Sequence, residues 1–175
     1  MKYLIIFLIA TTIQAREINW RTLEIGYCVY DYIIEENAEK YNIPEYFILG
    51  WCYWESEIRP YAISRDTIRS NGKIIRIQIN VGMLQIRSIG TDNDIYKLRQ
   101  PEYNVKIACK MLLNGIKLYR GHIPDTITRN DLLHGLTVYS GGRGAYQRSG
   151  RKINKYAYEV FKFYDEILTK EIYDK

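Results

Sequence analysis

The chain of 175 residues is poor in the residues that build metal centres, collagen-like repeats and disordered linkers. It has only two His and three Cys, so a site of several His or Cys metal ligands is excluded. Four Pro and 12 Gly are too few for a fibrous or low-complexity chain. With 47% hydrophobic and 26% charged residues, the composition is that of one globular domain with a single core.

The charge is moderately basic and does not predict a nucleic-acid partner. The chain has 25 Lys and Arg against 20 Asp and Glu, a formal net charge of +5. The basic residues do not alternate with aromatic ones as in a base-stacking platform. A basic cluster near the C-terminal end could attract anionic polymers, but a solvated face is the favoured interpretation. Its members are Arg143, Arg148, Arg151, Lys152 and Lys155.

The N-terminus has the pattern of a secretory signal peptide. Met1-Lys2 is basic, Tyr3 to Ile13 is mostly apolar, and Ala15 is the predicted cleavage residue. The apolar run is too short to cross the roughly 30 Å hydrocarbon core of a membrane. We therefore expect a signal peptide over 1–15 and a mature domain over 16–175, with no stable membrane span after cleavage. An uncleaved N-terminal anchor is the alternative.

Export would permit disulfides, and the three cysteines allow one bridge with one thiol left over. Cys28, Cys52 and Cys109 all lie in apolar stretches with a helical pattern. Burial as small hydrophobic side chains is at least as good an interpretation as a bridge. No catalytic role is assigned to any of them.

Hydrophobic periodicity predicts a mainly α domain, of the α+β type, with one small β-hairpin beside a groove. A 3.6-residue period predicts helices over 22–41, 44–57, 81–88, 101–119, 129–139 and 152–171. Between the second and third of these, alternating isoleucines and the turn signal Asn71-Gly72 predict a hairpin. Its strands are expected at about 67–70 and 73–77. A glycine-rich loop is expected from Gly141 to Gly150.

Glu55 is the candidate catalytic residue. It ends the second predicted helix, which is apolar on most sides, and Trp51 and Trp54 precede it. Apolar surroundings favour the neutral form of a carboxyl group, and a neutral carboxylic acid can protonate a glycosidic oxygen. Glu57 projects to a different side of the helix and is interpreted as a surface charge. Asp66 is the nearest other carboxylate, and a turn role is favoured for it.

The surrounding motifs resemble those of the lytic transglycosylases with a soluble-lytic-transglycosylase, lysozyme-like domain. The resemblance covers about residues 24–168, and its four motifs occur in the order of the family. They are Glu55-Ser56 followed by Pro60 and Ala62-Ile63-Ser64; Gly82-Met83-Leu84-Gln85-Ile86, with Pro101 and Asn104 after it; Val138-Tyr139 before Gly141-Gly142; and Tyr156 in Lys155-Tyr156-Ala157-Tyr158-Glu159-Val160.

Three departures from the family pattern are visible. Eighteen positions separate Ser64 from Gly82, where the family has a short connection, and the excess is the isoleucine-rich hairpin. Met83-Leu84 inverts the usual Leu-Met order. Ser140 replaces the usual Asn.

The resemblance implies a lysozyme-like fold and cleavage of the β-1,4 bond between N-acetylmuramic acid and N-acetylglucosamine in peptidoglycan glycan strands. Glu55 would act as general acid and then as base, closing a 1,6-anhydro ring without water. Substrate contacts are expected from Ser64, Met83, Gln85, Tyr139 and Tyr156. Tyr139 is the candidate for a hydrogen bond near Glu55. Neither a metal nor an organic cofactor is implied.

Two other functions stay open at this point. A goose-type-like muramidase would use water, and a second ordered carboxylate near Glu55 would favour it. A non-catalytic wall-binding assembly protein would keep the cleft and lose the activity. In each case we expect a protein of the bacterial periplasm or cell envelope. The default expectation is a monomer, and docking to a cell-envelope machine is left open.

Overall fold

The computed structural model describes residues 17–70, 73–88 and 92–173, and helices dominate these ranges. The predicted signal peptide at 1–15 lies outside them. Six helices and one three-stranded antiparallel sheet are found within them. Their bounds are α1 (Trp20–Tyr41), α2 (Glu45–Ser56), β1 (Ile63–Ser70), β2 (Lys73–Val81), β3 (Ile86–Ser88), α3 (Asp92–Leu98), α4 (Pro101–Arg120), α5 (Arg129–Arg148) and α6 (Lys155–Tyr173). The mainly helical fold with a small β element is confirmed.

Helix α2 lies at the centre of the core, as its apolar sequence predicts. Phe47, Ile48, Trp51 and Cys52 are fully buried, and Phe47 contacts Phe161 of α6 with ring centroids 5.4 Å apart. A helix that is apolar on most sides is stable only when other elements cover it. Helix α6 packs on one side of α2 and α1 packs on another. The core therefore fixes α2, and with it the residues at its C-terminal end.

The three cysteines are free thiols in this structure. Cys52 and Cys109 are buried, and Cys28 is exposed on α1. Burial raises the pKa of the Cys109 thiol to about 12. Burial also raises the pKa of Cys52, so both thiols stay protonated and unreactive at neutral pH. The interpretation as buried small hydrophobic residues holds for two of the three.

Helices α4 and α5 approach each other closely because both carry glycine at the crossing. A β-carbon added to Gly115 would lie 2.9 Å from the Cα of Gly135. Helix α5 begins with a capping box between Thr128 and Asp131. Burial raises the pKa of Asp131, but hydrogen bonds from Arg120 and Thr128 outweigh it and lower the pKa to about 2.

Helix α5 continues beyond the end that the sequence predicts. A glycine-rich loop was expected after residue 139, whereas α5 extends to Arg148 with a kink at Gly142. Gly142 has φ 75° and ψ 160°, a backbone conformation that residues other than glycine rarely adopt. The kink redirects the helix, and Tyr146 beyond it is buried and hydrogen-bonded to Nδ1 of His134 at 2.7 Å. The tertiary packing of Tyr146 therefore stabilises a helix in a segment whose glycine content alone predicts a loop.

The hairpin is longer than predicted, and it gains a third strand. Strand β1 pairs with β2 from Ile63↔Val81 to Ser70↔Lys73, and β2 pairs with β3 from Ile79↔Ser88 to Val81↔Ile86. The helix predicted over 81–88 is wrong, because this segment ends β2, turns through residues 82–85 and forms β3. The short helix α3 was not predicted. Its seven residues are too few to show a clear period.

Buried Asn104 in the first turn of α4 holds the turn between β2 and β3 in place. Its side-chain amide donates to the carbonyls of Val81 and Leu98, both at 2.9 Å, and its oxygen accepts from the backbone N–H of Leu84 at 2.8 Å. A β-carbon on Gly82 would lie 2.2 Å from this amide nitrogen. The Asn104 side chain therefore occupies the space that a side chain at position 82 would need, so only glycine fits there.

We predict that Asn104→Asp destabilises the fold strongly. The carboxylate keeps the size of the side chain but loses both donors, which leaves two buried carbonyls unpaired; we expect a loss of about 3 kcal/mol in the free energy of unfolding. Urea denaturation followed by circular dichroism measures it. Asn114→Asp, at an exposed position of the same helix, is the control and should change stability little. Equal effects of the two substitutions would contradict the assigned role of Asn104.

Candidate active site

Glu55 lies in the last turn of α2, and the chain after it is held by Ser56. The Ser56 hydroxyl is buried, donates to the carbonyl of Met83 at 2.8 Å and accepts from the backbone N–H of Arg59 at 3.0 Å. Glu57 and Ile58 then adopt left-handed conformations with φ of 55° and 60°. These contacts end the helix sharply and attach it to the turn before β3. The position of Glu55 is thus fixed from both sides.

A line of hydrogen bonds runs from the core to Glu55. The indole N–H of Trp51 donates to the hydroxyl of Tyr156 at 2.8 Å, and that hydroxyl donates to Oε1 of Glu55. Burial raises the pKa of Tyr156 well above its usual value, and the nearby charge of Glu55 raises it further. The phenol therefore stays protonated and remains a donor to the carboxylate. Tyr156 comes from α6, so the catalytic candidate depends on the packing of α2 against α6.

Tyr139 lies beside this line but bonds to a different group. Its ring meets that of Trp51 edge-on, with centroids 4.7 Å apart, and its hydroxyl donates to the carbonyl of Leu84. Burial raises the pKa of Tyr139, and the charge of Glu55 adds to this shift. The motif predicts that Tyr139 hydrogen-bonds near Glu55. In the structure Tyr156 makes the direct bond, and Tyr139 connects the site to the turn.

Met83 and Gln85 occupy opposite environments in the turn between β2 and β3. The Met83 side chain is fully buried in the core, so the expectation that it contacts the sugar is corrected. The Leu84 side chain is fully buried as well. Gln85 has φ 48°, and its amide donates to the carbonyls of Ala62 at 3.3 Å and Gly82 at 2.9 Å. Gln85 is partly exposed and lines the cleft.

A hydrogen-bonded group of four side chains on β1 and β2 forms one wall of the cleft. The amide nitrogen of Asn80 donates to the hydroxyl of Ser64 at 3.1 Å and to Oδ2 of Asp66 at 2.8 Å. The amide of Gln78 donates to Oδ1 of Asn80 at 2.8 Å. Asp66 therefore belongs to a strand in the wall, and the turn role favoured for it is wrong.

An open cleft of about 670 Å³ lies between the sheet and helices α4, α5 and α6. Five of the six candidate residues lie on it, and Met83 does not. Its lining residues are Glu55, Ser64, Asp66, Gln78, Asn80, Gln85, Arg87, Met111, Asn114, Val138, Tyr139, Ser140, Gly142, Arg143 and Tyr156. The lining combines hydrogen-bonding groups with the apolar side chains of Met111 and Val138, as ligand-binding clefts do.

Sequence reasoning missed Trp51 and Asn80. Trp51 appears as one more apolar residue of a buried helix, and only the fold shows that its N–H meets Tyr156. Asn80 and Gln78 alternate with isoleucines along β2, which is the signal of a two-faced strand. That alternation predicted the hairpin, and it could also have predicted that the polar face lines the groove.

Neither a metal-binding cluster nor a membrane-spanning helix is found in the part of the chain that the structure describes. Within residues 17–70, 73–88 and 92–173, no group of three His, Cys, Asp or Glu side chains could hold a metal ion. In these same ranges, the search for helices long and apolar enough to span a membrane finds none.

Comparison with known protein families identifies the fold that carries this cleft. The family model described as the transglycosylase SLT domain matches residues 32–162, more than half of the chain. The chain belongs to the transglycosylase SLT domain family. Comparison with curated proteins and with solved structures gave no match. The family supports a glycan-cleaving activity on peptidoglycan, and the matched range includes every residue of the candidate site.

The negative charge of Glu55 raises the pKa of Tyr156 in this SLT domain, and this effect can be tested by substitution. We predict that Glu55→Gln lowers the pKa of Tyr156, because a negative charge that opposes ionisation of the phenol is removed. The pKa should nevertheless stay above the usual value of about 10, since burial is the larger cause of the shift. Carbon-13 NMR of labelled tyrosine, titrated with base, measures it, and Tyr156→Phe assigns the resonance.

Glu57→Gln removes the same charge two residues away and should leave this titration unchanged. Identical titration of Tyr156 in the wild type and in Glu55→Gln would show that the two groups do not interact.

Proposed function

We propose that this SLT domain is a peptidoglycan lytic transglycosylase that cleaves the β-1,4 bond between N-acetylmuramic acid and N-acetylglucosamine. The observation that carries the proposal is the placement of Glu55 on the cleft, hydrogen-bonded by Tyr156, within a chain of this family. Goose-type-like hydrolysis and wall binding without catalysis are the alternatives.

In the proposed reaction, the Glu55 carboxylic acid gives its proton to the glycosidic oxygen. The bond from the muramic C1 to that oxygen breaks, the N-acetylglucosamine side leaves as an alcohol, and C1 becomes oxocarbenium-like. The Glu55 carboxylate then takes the proton of the muramic C6 hydroxyl, whose oxygen bonds to C1. A 1,6-anhydro ring closes, no water is consumed, and Glu55 regains its proton.

The contacts around Glu55 support both of its proposed states. Fully buried Trp51 and half-buried Tyr139 and Tyr156 form apolar surroundings on one side of the Glu55 carboxyl group, and such surroundings favour the neutral acid. The hydroxyl of Tyr156 donates to the carboxylate, which favours the ionised base. We infer that Tyr156 acts as a positioning and stabilising residue. Ser64 and Gln85 are proposed to hold substrate hydroxyl or amide groups on the cleft.

The hydrolytic alternative has one observation in its favour. Asp66 lies on the same cleft as Glu55 and is ordered by Asn80, as a carboxylate that positions a water molecule would be. Goose-type-like hydrolysis would then give a reducing muramic acid end instead of an anhydro ring. The transglycosylase is preferred because its scheme needs one carboxylate, and Glu55 is the cleft carboxylate to which Tyr156 donates a hydrogen bond.

We predict that purified peptidoglycan treated with the domain releases fragments that end in 1,6-anhydromuramic acid. Glu55→Gln should lower the rate by at least about a thousandfold, because the amide has no proton to give and cannot act as base. Mass spectrometry of the soluble fragments measures both the rate and the end group. Glu57→Gln, with the same charge change two residues on, should retain activity.

The same fragments separate the alternatives. Reducing muramic acid ends that disappear in Asp66→Asn would replace the proposal by hydrolysis. Binding to peptidoglycan without any fragments, in the wild type and in Glu57→Gln alike, would favour a wall-binding protein.

We propose that the domain works outside the cytoplasmic membrane, in the periplasm or cell envelope, because its proposed substrate is there. The signal peptide predicted over 1–15 would export it. Mass spectrometry of the exported protein should then find an N-terminus at Arg16. An N-terminus that still includes the apolar run would indicate an anchor.

A further inference from the structure

The sheet presents a polar face to the cleft, and its register shows how that face is composed. Directly paired residues of antiparallel strands have their side chains on the same face. Ser64 pairs with Asn80, and Asn80 pairs with Arg87, so these three form one row across β1, β2 and β3. Asp66 and Gln78 form the next row. All five residues line the cleft.

Most polar groups of this face are already engaged with each other. The Asn80 side chain is nearly buried and bonds to three neighbours, one of which is the Asp66 carboxylate. Arg87 is different, because its exposed side chain makes no hydrogen bond or ion pair with another residue of the described ranges. It is a cation at the end of the row, about 10 Å across the sheet from Ser64 at the usual strand spacing.

Arg143 gives the cleft a second cation from helix α5. It directly follows the kink at Gly142, is exposed and lines the cleft. In the described ranges, Arg143 too lacks an ion pair or a hydrogen bond to another side chain. Neither arginine forms an ion pair with the two carboxylates that also line the cleft, Glu55 and Asp66.

We propose that Arg87 and Arg143 bind carboxylate groups carried by the muramic acid units of the substrate. This inference rests on the proposed function, and it names the substrate class as glycan strands with negatively charged substituents. A guanidinium group matches a carboxylate with two parallel hydrogen bonds, which gives geometric selectivity as well as affinity. The carboxylate belongs either to the stem peptide or to the lactyl group that removal of the peptide exposes.

The test measures binding in the Glu55→Gln background, so that its readout does not depend on cleavage. Three soluble ligands are titrated by calorimetry: a peptidoglycan tetrasaccharide with its stem peptides, the same fragment with all carboxyls amidated, and the tetrasaccharide freed of peptides by an amidase. Arg87→Gln and Arg143→Gln are compared with Arg65→Gln. Arg65 is exposed on β1 and pairs with Ile79, so it lies on the opposite face of the sheet.

We expect the peptide-bearing fragment to bind about tenfold more tightly than the amidated one, as charge-assisted bidentate contacts imply. Arg87→Gln and Arg143→Gln should each reduce this ratio, whereas Arg65→Gln should preserve it. If the peptide-bearing fragment binds more tightly than both other fragments, the stem peptide supplies the carboxylate. If only the peptide-free fragment binds more tightly than the amidated one, the lactyl carboxylate is the ligand, because in both peptide-bearing fragments this group is part of the amide bond to the peptide.

Equal affinity for the native, amidated and peptide-free fragments would overturn the proposal. It would also be overturned if Arg65→Gln lowered the affinity for the charged fragment as much as Arg87→Gln and Arg143→Gln do. Absence of binding to any fragment would also overturn it. Wild-type protein that cleaves peptidoglycan while showing one of these results would retain the proposed function and lose only the carboxylate selectivity. Charge-dependent binding by a wild-type protein that does not cleave peptidoglycan would retain the carboxylate selectivity and overturn the proposed function.

Discussion

The buried amide of Asn104 is the constraint on which the site depends. It binds the end of β2, the following turn and the end of α3 through three hydrogen bonds, and each of these reaches a backbone group. Two carbonyl groups of this turn accept hydrogen bonds from the site: that of Leu84 from the Tyr139 hydroxyl, and that of Met83 from the Ser56 hydroxyl. The end of α2, Tyr139 and the sheet are therefore all attached to one short segment. Such a segment keeps its shape only while its buried polar groups are paired.

The aromatic side chains beside Glu55 combine two effects that oppose each other. Their apolar surfaces favour the neutral carboxyl group, whereas the hydroxyl of half-buried Tyr156 donates to it and favours the charged form. This balance suits the role proposed for Glu55, first as an acid and then as a base, because each effect favours one of the two states. The balance needs Tyr156 to remain a protonated donor, and its own burial ensures that.

Local sequence predicted the parts of the structure that local forces determine. The long helices α1, α2, α4 and α6 follow from their hydrophobic period, and Glu55 follows from its motif. The segment 81–88 was predicted as helix because its apolar residues fit that period, but Asn104, which is distant in sequence, holds it as strand and turn. In the same way, the burial of Tyr146 maintains helix beyond Gly142. Asp66 was predicted to lie in a turn at the entry to the hairpin. It lies within β1 because pairing with β2 extends this strand back to Ile63, and the local sequence does not show that pairing.

The hairpin shows why the faces of a strand matter more for this cleft than its composition. Along β1 and β2, polar side chains face the cleft at alternate positions, while Ile63, Ile77 and Ile79 occupy the positions between them. A shift of one residue in register would exchange the two faces and bring isoleucines to the cleft. The irregularity of the pairing lies between Ile68 and Arg69, beyond the two polar rows, so it leaves their alignment intact. The hydrogen bonds of Asn80 to Ser64 and Asp66 add a side-chain link that favours the observed register. The inserted strands thus determine which groups of a glycan strand the cleft can contact, while the helices determine where the bond would be cut.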